Sequence, residues 1–166
     1  ADPDDAHNYC FLSRALVGSR RFKEAEQAAR RAIELDPESD QGYWCLARAL
    51  SERKRLKEAQ DAIETAIEID PEDADNYGML AQILLERSEW KKALAAAHSG
   101  LAQDADNELC QFYRGAALSN LGDDEEAGAQ FDHMLSEDPE DAANHIGKGW
   151  AHVAAGQYEA AQRHFS

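Results

Sequence analysis

Few residues in this chain have the types and spacing that chemistry requires. His145 and His152 lie seven positions apart, which sets two imidazoles on one helix face, and Cys110 stands one repeat unit earlier. Such a set can resemble a metal site. Both histidines nevertheless fall on rows that the periodicity described below reserves for packing, so core or end-cap imidazoles are expected, and no metal. Cys10, Cys45 and Cys110 are an odd number without a Cys-x-x-Cys spacing. They imply neither a disulfide framework nor a zinc site, and buried or half-buried free thiols are expected. Nucleophile-elbow and phosphate-loop spacings do not occur. The sequence therefore predicts no catalytic residue, no cofactor and no enzyme. What it does offer is recognition chemistry. Trp44 and Arg48 place an indole and a guanidinium on adjacent turns of one helix, and these residue types tend to dominate interface energies. The competing reading is that Trp44 packs against a neighbouring helix and Arg48 is solvated.

The elements that must position these residues follow from composition and periodicity. The chain has 166 residues, enough for one ordinary domain, and its 43% apolar content is adequate for a core. Proline is scarce and Ala, Leu, Glu, Arg and Lys dominate, which favours helix. No run approaches the roughly 20 apolar residues of a spanning helix, so no membrane contact is expected of this stretch. The opening "ADPDDA" lacks an initiator Met and a signal segment; it reads as the start of an excised piece, with any targeting sequence outside it. The compartment stays open, with a slight lean to the cytoplasm. A formal charge of −16 opposes approach to nucleic acid or an anionic membrane.

Asp-Pro occurs at Asp2-Pro3, Asp36-Pro37, Asp70-Pro71 and Asp138-Pro139, with Asp104-Ala105 in the remaining place; the step is 34. One domain, 1–166, is thereby divided into repeats 6–39, 40–73, 74–107 and 108–141 and a partial fifth at 142–166. Proline cannot continue a helix and biases the residue before it away from helical angles. Two residues later comes a residue able to cap the next helix: Asp5, Ser39, Asp73, Asn107 or Asp141. At Asp104-Ala105 the stop is softer, and the second helix of the third repeat is expected to fray or run on. Gly122 and Gly156 suit the left-handed residue that ends each first helix, while Arg20, Lys54 and Ser88 hold the same slot at a cost of about 1 kcal/mol. Alanine fills one row of the second helices in all five units, at Ala25, Ala59, Ala93, Ala127 and Ala161. Facing it is a row of small residues, Ser13, Ala47, Ala81, Gly115 and Gly149. Small rows allow close approach within a pair while large rows fill the space between pairs.

The segment "YWCLARALSERKRLKEAQDAIETAIEIDP" resembles the tetratricopeptide repeat family almost throughout, and the resemblance extends over essentially the whole chain. It implies an all-α fold, a right-handed α-α superhelix of stacked antiparallel helix hairpins. Gln111, Arg114 and Asp124 depart from the pattern in repeat four, as do Lys148 and His152 in repeat five. The family also implies that the first helices line a concave groove that takes an extended or helical peptide. Cys10, Trp44, Gly78, Phe112 and Ile146 form one row expected to face it, and Arg14, Arg48, Gln82, Ala116 and Trp150 form the next. The groove residues singled out are Cys10, Arg14, Trp44, Arg48, Gln82, Phe112, Ile146 and Trp150.

The function this implies is a protein-interaction module that binds a peptide segment of a partner. Some family members clamp acidic chaperone tails. At the matching places this sequence has Cys10, Arg14, Cys45, Asp75 and Met79, of which Arg14 alone is cationic, so that adaptor type is not expected. The alternatives are a structural spacer or self-association segment of a larger protein, with open repeat ends joining two copies, or a regulatory domain attached to an enzyme or membrane domain. Charge per repeat runs +1, −4, −2 and −9. The acidic fourth repeat is read either as a solvated outer face or as a docking patch for a basic partner.

Overall fold

The computed structural model of the chain describes residues 5–137. They form α1 (Ala6–Gly18), α2 (Phe22–Leu35), α3 (Asp40–Glu52), α4 (Leu56–Ile69), α5 (Ala74–Glu86), α6 (Trp90–Gln103), α7 (Glu108–Leu121) and α8 (Asp124–Glu137). The expectations for Asp141, His145, Ile146, Gly149, Trp150, His152, Gly156 and Ala161 lie outside the described residues.

The second helices α2, α4 and α6 each end at an aspartate, whatever follows it. Asp36, Asp70 and Asp104 leave the helix with φ of −142°, −128° and −139°, and each N–H still reaches the carbonyl four residues back at 2.9 Å. Each carboxylate then accepts the N–H two residues on, from Glu38 at 3.2 Å, Glu72 at 3.0 Å and Asp106 at 3.0 Å. This side-chain turn corrects the expectation of fraying at Asp104-Ala105: α6 keeps the same 14 residues as α2 and α4. The aspartate, not the proline, carries the stop. At the next helix starts, Asp5, Asp73 and Asn107 accept first-turn N–H groups at 2.9 Å, from His7, Asp75 and Cys110. Ser39 has the extended cap backbone but no side-chain bond to the helix, which corrects its assignment as a capping side chain. There the Asp36 carboxylate orders only the turn before the helix, through the Glu38 N–H.

Between paired helices the chain reverses through Arg20, Lys54, Ser88 and Gly122, at φ of 59°, 59°, 61° and 84°. The following N–H groups of Arg21, Arg55, Glu89 and Asp123 reach back to Leu16, Leu50, Leu84 and Leu118 at 2.9 to 3.0 Å. This is the bonding that a left-handed residue permits at a helix end.

The small rows meet as the periodicity requires. Ala25, Ala59, Ala93 and Ala127 are fully buried, and Ser13, Ala47 and Ala81 are buried opposite them. The Ser13 hydroxyl donates to the Ala25 carbonyl at 2.9 Å. At Gly115 a Cβ would fall 2.7 Å from the Phe131 ring, so α7 and α8 approach as closely as they do because that position has no side chain. Between repeats, α1 packs on α3, α3 on α5 and α5 on α7, while among the described residues no second helix meets the next second helix. A stack that is closer along one set of helices must curve towards that set. The result is a right-handed superhelix with the first helices on its inner face.

An ionic latch joins the first two repeats on the second-helix side. Glu26 of α2, 7% exposed, accepts from Arg30 at 2.8 Å and from Arg55 at 2.9 Å, and also meets Arg53. Burial alone would push this carboxyl up, but the bonds from Arg30 and Arg55 and their nearby charges hold it below its ordinary value. One repeat on, Arg87 meets Gln60 instead.

Two outcomes follow from these contacts. Replacing Ser88 by Gly relieves left-handed strain and raises stability by about 1 kcal/mol in urea unfolding. Glu26→Gln costs about 2 kcal/mol at neutral pH. Because the folded-state pKa is depressed, the carboxylate's contribution is complete above the ordinary glutamate value and is lost as pH falls through the depressed one. The gap between wild type and Glu26→Gln therefore closes in acid, below about pH 4.

Candidate functional site

The inner face is built on Trp44, which α3 presents half-buried between two arginines. The Arg48 guanidinium lies 5.4 Å from the indole centroid and that of Arg14, from α1, lies 5.7 Å away. Arg48 is one turn along the same helix, whereas Arg14 reaches Trp44 across the α1–α3 contact. Each such stack contributes about 0.5–1 kcal/mol at exposed sites. The indole Nε1–H is buried and meets no acceptor.

Beside the indole is a cavity of about 170 Å³, lined on one side by His7, Cys10, Phe11 and Arg14 and on the other by Asp40, Asp73 and Asp75. The His7 and Phe11 rings meet edge to face at 4.5 Å, yet Phe11 remains 56% exposed. The aspartates stand at the starts of α3 and α5. Asp40 accepts from Asn76 at 3.3 Å, Asp75 from Asn107 at 2.7 Å, and Asp73 from the Asp75 N–H. Burial pushes the Asp73 carboxyl up, the bond from the Asp75 N–H opposes this, and Asp75, Asp40 and Asp70 add to the rise.

The other expected groove residues are placed less uniformly. Cys10 borders the cavity with its side chain buried. Gln82 is half-buried and donates to Glu86 at 3.5 Å. Phe112 turns its ring onto Tyr113 and Phe131, at centroid distances of 5.3 and 5.8 Å, and packs against the α7–α8 core. Ile146 and Trp150 lie outside the described residues. Sequence reasoning brought Trp44 and Arg48 together and missed that Arg14 shares their ring. It also missed Phe11, His7 and Tyr113. Burial pushes the Tyr113 hydroxyl up to about 12, with Glu86 adding to the rise and Arg48 opposing it, so Arg48 and Tyr113 sit in one field. The available signal was the row one residue after the expected groove row, where Phe11 and Tyr113 flank the buried Cys45 and Met79.

The thiols differ in kind. The Cys45 thiol approaches the Cys10 carbonyl at 3.7 Å, and that of Cys110 approaches the Ala74 carbonyl at 3.3 Å. Contact with the Cys10 thiol, and then burial, raises Cys45. Burial, together with Asp75, Asp104 and Asp73, pushes Cys110 up to about 12. Cys10 is lowered by the bond from Cys45, against burial.

The family model for the tetratricopeptide repeat matches residues 16–83 and 50–118. The chain belongs to the tetratricopeptide repeat family. No curated protein matches it in sequence. Among solved structures it is similar to TTC0263, a thermophilic TPR protein of Thermus thermophilus, with a TM-score of 0.87 and 17% identity over 96% of this chain and 88% of that one. It is similar to PilW, a type IV pilus biogenesis factor, with a TM-score of 0.85 and 18% identity over 96% and 74% of the two chains. It also resembles YrrB, described as a TPR protein with an unusual peptide-binding site, with a TM-score of 0.67 and 24% identity over 98% and 84%. At these identities the likeness is one of fold. The TPR array is a protein-interaction scaffold.

Thiol reactivity gives a direct check on this side of the array. The thiolate is the nucleophile, so iodoacetamide at mildly alkaline pH should modify Cys10 first, with Cys45 and Cys110 protected in the native protein. Peptide mass mapping reads the order.

Proposed function

We propose that the inner face binds a peptide segment of a partner protein, with Trp44 as the central anchor and Arg14 and Arg48 beside it. In this reading the chain acts by holding its partner and carries no chemistry of its own. The observation that supports it is the pair of guanidiniums on one half-buried indole, next to a cavity and the exposed Phe11. Aromatic and arginine side chains are the types that concentrate interface energy, and here three of them converge across two repeats. The peptide-binding site attributed to YrrB is in keeping with this use of the fold.

The test is the affinity of a groove-binding peptide for Trp44→Ala, measured by calorimetry. Loss of the anchor should cost about 2 kcal/mol or more, a weakening of about 30-fold. Unchanged affinity would refute the assignment.

A further inference from the structure

The chemistry of the partner can be narrowed, on the footing of the groove reading just given. We propose that the bound segment presents a single carboxylate side chain to Arg14 and Arg48, with an apolar side chain beside it that enters the cavity next to Phe11. It is an acidic-apolar motif, not a run of acids.

The support is charge accounting. The chain has 33 acidic residues against 17 Lys and Arg. Among the described residues every other arginine pairs with a carboxylate, apart from Arg20 in its turn at φ 59°. Arg14 and Arg48 have no such partner, although acidic side chains are plentiful around them. Two cations on one ring repel each other, and a carboxylate between them is the group that relieves the repulsion. Guanidinium forks match its geometry. The Trp44 Nε1–H at the same ring also has no acceptor, but it is buried and offers no surface to a ligand oxygen, so the two guanidiniums carry the recognition.

The far wall limits how acidic the partner is. Asp40, Asp73 and Asp75 line the same cavity, and Asp73 already resists ionisation there because of burial and its acidic neighbours. A second carboxylate one or two residues from the first would meet that wall. A neutral apolar group meets Phe11 and the thiol of Cys10 instead. The net charge of −16 likewise disfavours a polyacid at long range.

A displayed library of random peptides, selected on the whole chain, supplies the probe. Enrichment of one Asp or Glu next to Leu, Ile or Phe is expected. Changing that acid to its amide should weaken the synthetic peptide about tenfold. The double variant Arg14→Gln/Arg48→Gln should lose the same amount and no more when the amide peptide is used. Both arginines are exposed, and circular dichroism checks that the variant folds. Neutral or basic consensus peptides, or acidic ones indifferent to the arginine variant, overturn the proposal. If those peptides still need Trp44, the groove reading survives. Peptides indifferent to Trp44→Ala, or none selected at all, sink both.

Discussion

The array depends on each helix pair packing against the next, through its second helix on the following first helix and through successive first helices. A hairpin of two helices, 13 to 14 residues each, cannot cover its own apolar side, and isolated helices of that length are marginal in water. Burial is therefore shared. Ala25, Ala59 and Ala93 are fully buried, while Leu50, Ile63 and Met79 are buried in one cluster that spans the first three pairs. Because the first helices touch along the whole series and the second helices do not, the same contacts that stabilise the array also bend it. The curved inner face is a consequence of how the core is packed.

The repeats keep one backbone plan and vary the chemistry of their junctions. Where Glu26 is held by three arginines, the next junction places Arg87 against the amide of Gln60, and the positions one unit further on are Leu94 and Leu121. The succession runs from ionic to polar to apolar. Buried ion pairs add little net stability once desolvation is counted, but they penalise misplacement heavily. Apart from Arg114 on α7, the arginines with carboxylate partners lie on α2 or in the turns between paired helices. Arg14 and Arg48, on the inner side, are left without one, and the repeats richest in Lys and Arg are also those that carry Trp44 and its two arginines.

Much of this plan was legible in the sequence because backbone constraints recur at a fixed interval. The left-handed turn slot was readable at Gly122 and, by register, at Arg20, Lys54 and Ser88. The alanine row was readable because a position held to one small residue in every unit marks a place where two helices touch. The helix stop at Asp104 was misjudged for an instructive reason: proline is the more conspicuous letter of Asp-Pro, yet the aspartate forms the bond. Ser39 failed as a cap because a residue type permits a bond without enforcing it. The groove was less legible still. That Arg14 crosses to Trp44 depends on the rotation of one helix against the next, and that Phe112 turns towards Phe131 depends on the vacancy at Gly115. Neither is encoded by period.

The indole of Trp44 is the physical reason for proposing the site there and not on the acidic fourth repeat. Burying an N–H without an acceptor costs free energy, and proteins pair most such groups. Asn76 and Arg114 each leave one atom unpartnered but bond through others, and Asp124 has a second carboxylate oxygen. The indole has a single polar atom, and it goes without. Local rules otherwise hold closely in this array, down to the bonding of its turns and helix stops. Apart from the left-handed Arg20, Lys54 and Ser88 and the unbonded cap at Ser39, exceptions to those rules are expected where something outside the fold selects them. At Trp44 three coincide: an unsatisfied donor, two guanidiniums lacking counterions, and an exposed phenylalanine at the edge of the same cavity. The acidic surface of the fourth repeat breaks no such rule, since solvated carboxylates cost the fold little and keep it soluble.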